Sequence, residues 1–216
     1  MMTKTNSVIT IGRQYGSGGH VVGEKLAEML GIPYYDKAIL TEAAKNSGIC
    51  EELFEQNDEK PNRSLLFSLV NGTNMHTGDM NSMYMGLPLN HQIFLAQFDA
   101  IRKVADQGPC VIVGRCADYV LRDHPSAVSV FIKADLPSRV ARAIERGADP
   151  MKAEEIVRKQ DKQRAAYYNY YATGTWGSVD NYDLIVDTAK LGIDGSAELL
   201  AQYILLRERQ MMMGKI

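Results

Sequence analysis

Cysteine is scarce in this 216-residue chain, and the few thiols present do not pair by pattern. Cys50, Cys110 and Cys116 are odd in number, widely spaced and without metal-site spacing. That excludes a disulfide scaffold and a structural zinc site, and it fits reduced thiols in a cytoplasmic protein. Charge of one sign is not in excess either. The formal net charge is −2, so no basic field points to a nucleic acid polymer as partner. No stretch reaches the ~18 consecutive apolar residues of a membrane span, and no signal peptide opens the chain, so no membrane is expected. Internal repeats are absent. What remains is enough apolar residues, 45%, to bury one substantial core, and a length that predicts a single domain over residues 1–216.

The most informative stretch is residues 7–36, SVITIGRQYGSGGHVVGEKLAEMLGIPYYD. Its apolar, β-prone opening (8–11) predicts a fully buried strand. Gly12, Gly16, Gly18 and Gly19 follow, and then Val22, Leu26, Met29 and Leu30 recur at helical spacing up to Gly31, a C-terminal cap. Strand, glycine loop and helix together aim backbone N–H groups and a helix N-terminus at phosphate. Glycine suits such a loop because positive φ and close approach of an anion both exclude a Cβ.

The usual phosphate loop reads G-x-x-x-x-G-K-[ST], its lysine reaching the phosphates and its hydroxyl holding magnesium. With Gly18 as the second glycine, Gly19 stands at the lysine position, His20 at the hydroxyl position and Arg13 at the first glycine. A ligand-free tight turn and a dinucleotide-binding turn are the alternatives. The latter lacks both its G-x-G-x-x-G and a clear acidic ribose residue.

Further along, 32–35 predicts a short strand ending at Asp36, a carboxylate either at the ligand edge of a sheet or capping the helix over 37–46. Residues 50–89 are weakly patterned, with short helices at 51–56 and 64–70, and read as a functional loop or insertion rather than framework. Residues 91–107 predict a helix, 110–113 a buried parallel strand ending in Gly114-Arg115, and 128–132 another strand. Helices over 137–146 and 151–171, a last strand at 184–186 and a closing helix at 193–209 complete the pattern, with a frayed tail. Strands alternating with helices mean βαβ units, hence an α/β fold with a parallel sheet of about five strands and helices on both faces.

Arginine is well supplied where ligands would bind. Arg115 follows a buried strand directly, while Arg139, Arg142 and Arg146 are three and four apart and share a helix face. Arg158 and Arg164 flank Asp161 on the next helix. Phosphoryl transfer needs positioning and charge neutralisation more than covalent chemistry, and arginine supplies both. The plainer reading is a solvated face with salt bridges to Glu145, Glu154 and Glu155.

The segments ITIGRQYGSGGHVVGEKLAEMLGIPYYD, CVIVGRCADYVLRD, FIKADLPSRVARAIER and DKQRAAYYNYY…NYDLIVDT resemble, in order and spacing, the cytidylate kinase-like family of P-loop nucleoside monophosphate kinases. The resemblance implies the P-loop kinase fold with an acceptor-binding insertion at 50–89 and a helical lid at 147–171. It implies ATP with Mg2+ as donor and a nucleoside monophosphate, CMP or dCMP, as acceptor. Residues 13–20 become the donor-phosphate loop, with Arg13, Gly16, Ser17, Gly18, Gly19 and His20 on the ATP phosphates. Asp36, Arg115, Asp161 and Arg164 fall on acceptor-binding positions, while Arg142 and Arg146 fall on lid arginines that meet ATP and the transferred phosphoryl group. With Arg13, Arg115 and Arg164, these form the catalytic set.

Two departures limit the transfer. Cys116 replaces the aspartate of the family's G-R-D motif, with Asp118 nearby but out of register. The loop lysine and hydroxyl are missing, so Arg13 is expected to supply the charge and Ser17 or water to complete the magnesium shell. A nucleotide-binding sensor with little turnover, or a kinase for another small acceptor, are the competing functions. The apolar positions of the closing helix leave a homodimer and packing on the sheet equally open.

Overall fold

The computed structural model describes residues 5–37 and 89–214. These form β1 (Val8–Arg13), α1 (Gly19–Leu30), β2 (Tyr34–Tyr35), α2 (Leu89–Asp106), β3 (Cys110–Val113), α3 (Ala117–Val120), β4 (Ala127–Lys133), α4 (Leu136–Glu145), α5 (Ala153–Tyr171), β5 (Leu184–Asp187) and α6 (Thr188–Met212). The five strands make one sheet ordered β2-β3-β1-β4-β5, with parallel pairing throughout. The expected helices at 37–46, 51–56 and 64–70 and the insertion at 50–89, with Cys50, lie outside the described residues apart from Lys37 and Leu89.

β1 is central because it is apolar toward both faces. Ile9 and Ile11 join Val111, Val113, Val130 and Ile132 under α1 and α6. Val8, Cys110 and Ile112 turn the other way, onto Ile101 and Val104 of α2 and onto α3. Alternation of side chains along a strand buried on both sides produces this division. Burying each fully enclosed Ile or Leu contributes about 1.5–3 kcal/mol. Cys110 and Cys116 are buried and free, and burial pushes the Cys110 thiol up to about 12.

Helix ends follow local chemistry. Asp135 caps α4 by accepting the Ser138 amide proton at 2.8 Å, with Pro137 in the first turn. Asp187 caps α6 through the Ala189 amide at 3.0 Å. α6 contains the expected helix from Ile193 onward, preceded by an extra turn from Thr188 and broken at Gly192, whose φ is 68°. It also runs through Met211 and Met212, part of the tail expected to fray. Among the described residues no helix is long and apolar enough to cross a membrane.

Register decides what meets at the carboxyl edge of the sheet. β1 continues alongside β4 to the pair Arg13–Ile132, whereas its pairing with β3 stops at Ile11–Val113. Gly12 and Arg13 therefore emerge beside Gly114 and Arg115.

Candidate active site

The loop between β1 and α1 turns through two left-handed glycines, Gly16 (φ 75°) and Gly18 (φ 81°). Gly18 is the N-cap of α1 and offers no side chain to the first turn, so the helix's opening N–H groups face outward without a side-chain cap. A twelve-residue helix ending in a glycine bowl is the arrangement that binds an anion.

Ser17 does not fit the magnesium role expected of it. Its side chain is fully buried and its hydroxyl donates to the Gln14 carbonyl at 2.8 Å. The flanking left-handed glycines turn the peptide so that this Cβ points into the protein rather than into the bowl. Among the described residues no group of three His, Cys, Asp or Glu side chains is placed to hold a metal. His20, at the usual hydroxyl position, also leaves the bowl. Its Nδ1 lies 2.7 Å from the Tyr34 hydroxyl and 4.0 Å from Asp36, and its Nε2 lies 3.5 Å from Glu24.

Beyond the loop, three of the expected arginines converge. Arg13, Arg115 and Arg164 line one pocket with Lys37. Arg13 lies across Gly114: a Cβ built there would stand 2.0 Å from its Nη1, and the Gly114 φ of 86° excludes one independently. Arg115 and Cys116 continue the left-handed turn at φ 57° and 55°. Such backbone in non-glycine residues costs about 1–3 kcal/mol each and concentrates at functional sites. It turns the Arg115 guanidinium back over the pocket, 5.7 Å from the Tyr167 ring centroid, while the residue stays 8% exposed. Arg164 donates to the Arg13 carbonyl at 3.1 Å and lies 5.5 Å from the Tyr15 ring. Four cations around one partly enclosed space favour an anion entering it.

Sequence reasoning missed the other walls. Lys37, Asp118, Tyr167, Tyr168, Trp176 and Tyr182 also line the pocket. Asp118 accepts the Tyr168 hydroxyl proton at 2.6 Å, and burial raises its carboxyl above the usual range. Tyr168 stands one turn beyond Arg164 on α5, a spacing that could have marked it. Trp176 and Tyr182 arrive from a loop and pack on Phe131 at 5.4 and 4.9 Å between centroids, which no local pattern announces.

The remaining expected residues lie elsewhere. Asp161 sits beside the loop, accepting the Tyr15 amide proton at 2.7 Å and forming a largely buried ion pair with Arg139. Arg142 turns its guanidinium to the outside of the loop, onto the Gly16 carbonyl at 3.3 Å and the Thr188 hydroxyl at 3.0 Å. The lid-arginine expectation had placed it on ATP; in this structure its reach is taken up by backbone oxygen. Arg146 is exposed at the C-terminal end of α4, outside the pocket. Arg158 pairs with Glu154 on an exposed helix face at 2.9 Å, the solvated role allowed for it.

This architecture has relatives. A solved structure from Eubacterium ventriosum, described as an uncharacterized protein, superposes with TM-score 0.69 at 32% identity, over 92% of this chain and 98% of that one. Shikimate kinase from Bacteroides thetaiotaomicron shares the fold at TM-score 0.54 and 15% identity, over 92% and 98% of the two chains. By sequence, a cytidylate kinase of Methanopyrus kandleri is 24% identical over 94% of this chain and 95% of that protein. One of Methanosarcina barkeri is 28% identical over 37% of this chain and 46% of its own length. The glycine bowl, the parallel sheet behind it and the arginines at its edge all lie within residues 8–190, which match the model of one family over that whole span. The chain belongs to the cytidylate kinase-like family.

Proposed function

We propose that this protein transfers the γ-phosphoryl group of ATP to a nucleoside monophosphate, CMP or dCMP first among them. The observation carrying the reading is the convergence of Arg13, Arg115, Arg164 and Lys37 in one pocket beside the open N-terminus of α1. In this reading the amides of Gly16, Gly18, Gly19 and His20 hold the donor phosphates. Arg115 grips the acceptor phosphate, and Arg13 and Arg164 stand between the two and offset charge developing on the group in flight. Asp36, at the carboxyl end of β2, and the aromatic walls lie on the acceptor side.

An oxygen of the acceptor phosphate attacks the γ-phosphorus in line. The new P–O bond forms as the bond to the β–γ bridging oxygen breaks, and ADP leaves with that electron pair. No protein nucleophile is needed. The chain's own work is to bind both phosphates, orient them and exclude water, with α5 lying over the loop as the covering element. Mg2+ would enter with ATP, held by phosphate oxygens and water, since Ser17 is turned away.

Gly19 in place of the lysine and Arg142 committed to the loop favour one alternative, a nucleotide-binding protein with little turnover. ADP release measured against CMP, dCMP, UMP, AMP, GMP and shikimate, with ATP binding in parallel, separates the readings. Turnover selective for CMP or dCMP supports the proposal. ATP binding without turnover favours the sensor, and turnover with shikimate alone replaces the acceptor.

A further inference from the structure

The loop is held from behind by its carbonyl oxygens, each taken by a different side chain. The Gln14 carbonyl accepts from Ser17 Oγ at 2.8 Å and the Tyr15 carbonyl from Arg139 Nη1 at 3.4 Å. The Gly16 carbonyl accepts from Arg142 Nη1 at 3.3 Å and the Ser17 carbonyl from Thr188 Oγ1 at 2.6 Å. Thr188 is the hub of this set. It is 1% exposed, its hydroxyl oxygen accepts from Arg142 Nη1 at 3.0 Å, and its carbonyl accepts from Arg142 Nη2 at 3.3 Å. A hydroxyl has one proton to give. The Ser17 carbonyl at 2.6 Å takes it in preference to the Lys133 carbonyl at 3.4 Å.

A trans peptide sets its C=O and N–H in opposite directions. Drawing the Ser17 carbonyl outward onto Thr188 therefore aims the Gly18 N–H inward, toward the bowl. Arg139 does the same for the Gly16 N–H through the Tyr15 carbonyl. In a loop with no lysine of its own the amides carry a larger share of the anion binding, so their aim matters more than usual.

We infer that Thr188, the first residue of α6, is a positioning residue for phosphate binding: it presets the Gly18 amide through the Ser17 carbonyl, and it anchors Arg142, which holds the neighbouring Gly16 carbonyl. The inference rests on the donor-phosphate reading of the loop. Thr188 touches no substrate in this scheme.

The test compares Thr188→Val, Thr188→Ala and Thr188→Ser in the full chain. Calorimetry reads binding of ATP and of inorganic tripolyphosphate, steady-state kinetics reads the KM of each substrate, and thermal unfolding reads the fold. Loss of one buried hydrogen bond predicts about a tenfold rise in the ATP and tripolyphosphate Kd for the Val and Ala variants, with the acceptor KM unmoved. Thr188→Ser restores wild-type binding. Unchanged Kd in Thr188→Val or Thr188→Ala overturns the inference. So does an equal rise in both KM values, or unfolding of both variants while Thr188→Ser stays folded, because the hydroxyl then holds the fold rather than the aim. A wild type that binds neither ATP nor tripolyphosphate overturns the donor-site reading itself, and this inference with it.

Discussion

The Asp161 carboxylate accepts the Tyr15 amide proton at 2.7 Å, joining α5 to the phosphate loop across 146 residues of chain. The same carboxylate holds Arg139, whose guanidinium also reaches the Tyr15 carbonyl. One residue of the loop, Tyr15, is thus held at both its N–H and its C=O by the members of an ion pair. The element that covers the loop and the element that shapes it are mechanically one unit.

Asp161→Ala leaves Arg139 nearly buried without its counter-charge. Breaking such a pair from one side costs about 3–5 kcal/mol. Urea unfolding should show that loss, and the Arg139→Ala/Asp161→Ala double variant should lose less than the sum of the singles. A single-variant loss below about 1 kcal/mol, the range of an exposed pair, would remove the pair from this account.

Arg115→Ala should raise the KM for the acceptor and lower kcat/KM by roughly 100-fold, the scale of one preorganised donor in a low-dielectric site. The KM for ATP should stay near wild type. Equal effects on both substrates would move Arg115 out of the acceptor site.

Arg13→Ala is expected to lower turnover by a similar factor, since this arginine is assigned the charge that a loop lysine would bring. Gly114→Ala should act in the same direction, because its Cβ would stand 2.0 Å from Arg13 Nη1. Unchanged kcat in Arg13→Ala rules out the substitution of arginine for lysine.

Burial raises the Asp118 carboxyl above its usual range. The folded state therefore holds this proton more tightly than the unfolded chain. The stability it contributes is complete below the unfolded carboxyl value of about 4 and is lost as pH rises through the raised folded value. Asp118→Asn keeps an oxygen for the Tyr168 hydroxyl and removes the charge. Its stability relative to wild type should improve as pH rises above the unfolded carboxyl value of about 4, read by urea unfolding. A difference independent of pH would contradict the buried-charge account.

Much of the framework was legible in the chain. Apolar runs at 8–11, 110–113 and 128–132 became the three central strands because a strand covered on both faces must be apolar throughout. That Arg13, Arg115 and Arg164 share one pocket has a related reason. Strand ends in a parallel sheet face one edge, and Arg164 of α5 reaches the Arg13 carbonyl there. α3 was missed because four residues are too few to show a period, and it begins just after a left-handed turn that glycine alone does not foretell.

What sequence could not determine was how each polar group would be used. Ser17, Arg142 and Asp161 have the residue types of a magnesium ligand, a phosphate arginine and an acceptor carboxylate. Their hydrogen bonds go to Gln14, to Gly16 and Thr188, and to Tyr15 and Arg139 instead. Periodicity and glycine spacing record local preferences, which the backbone obeys within a few residues. A hydrogen bond between Arg142 and Gly16, 126 positions apart, exists only once the sheet has set the loop, α4 and α6 side by side. The chain by itself determined the bowl and the arginines available to it; the packing of α4, α5 and α6 around the loop decided which of them line the pocket and which hold the loop in place.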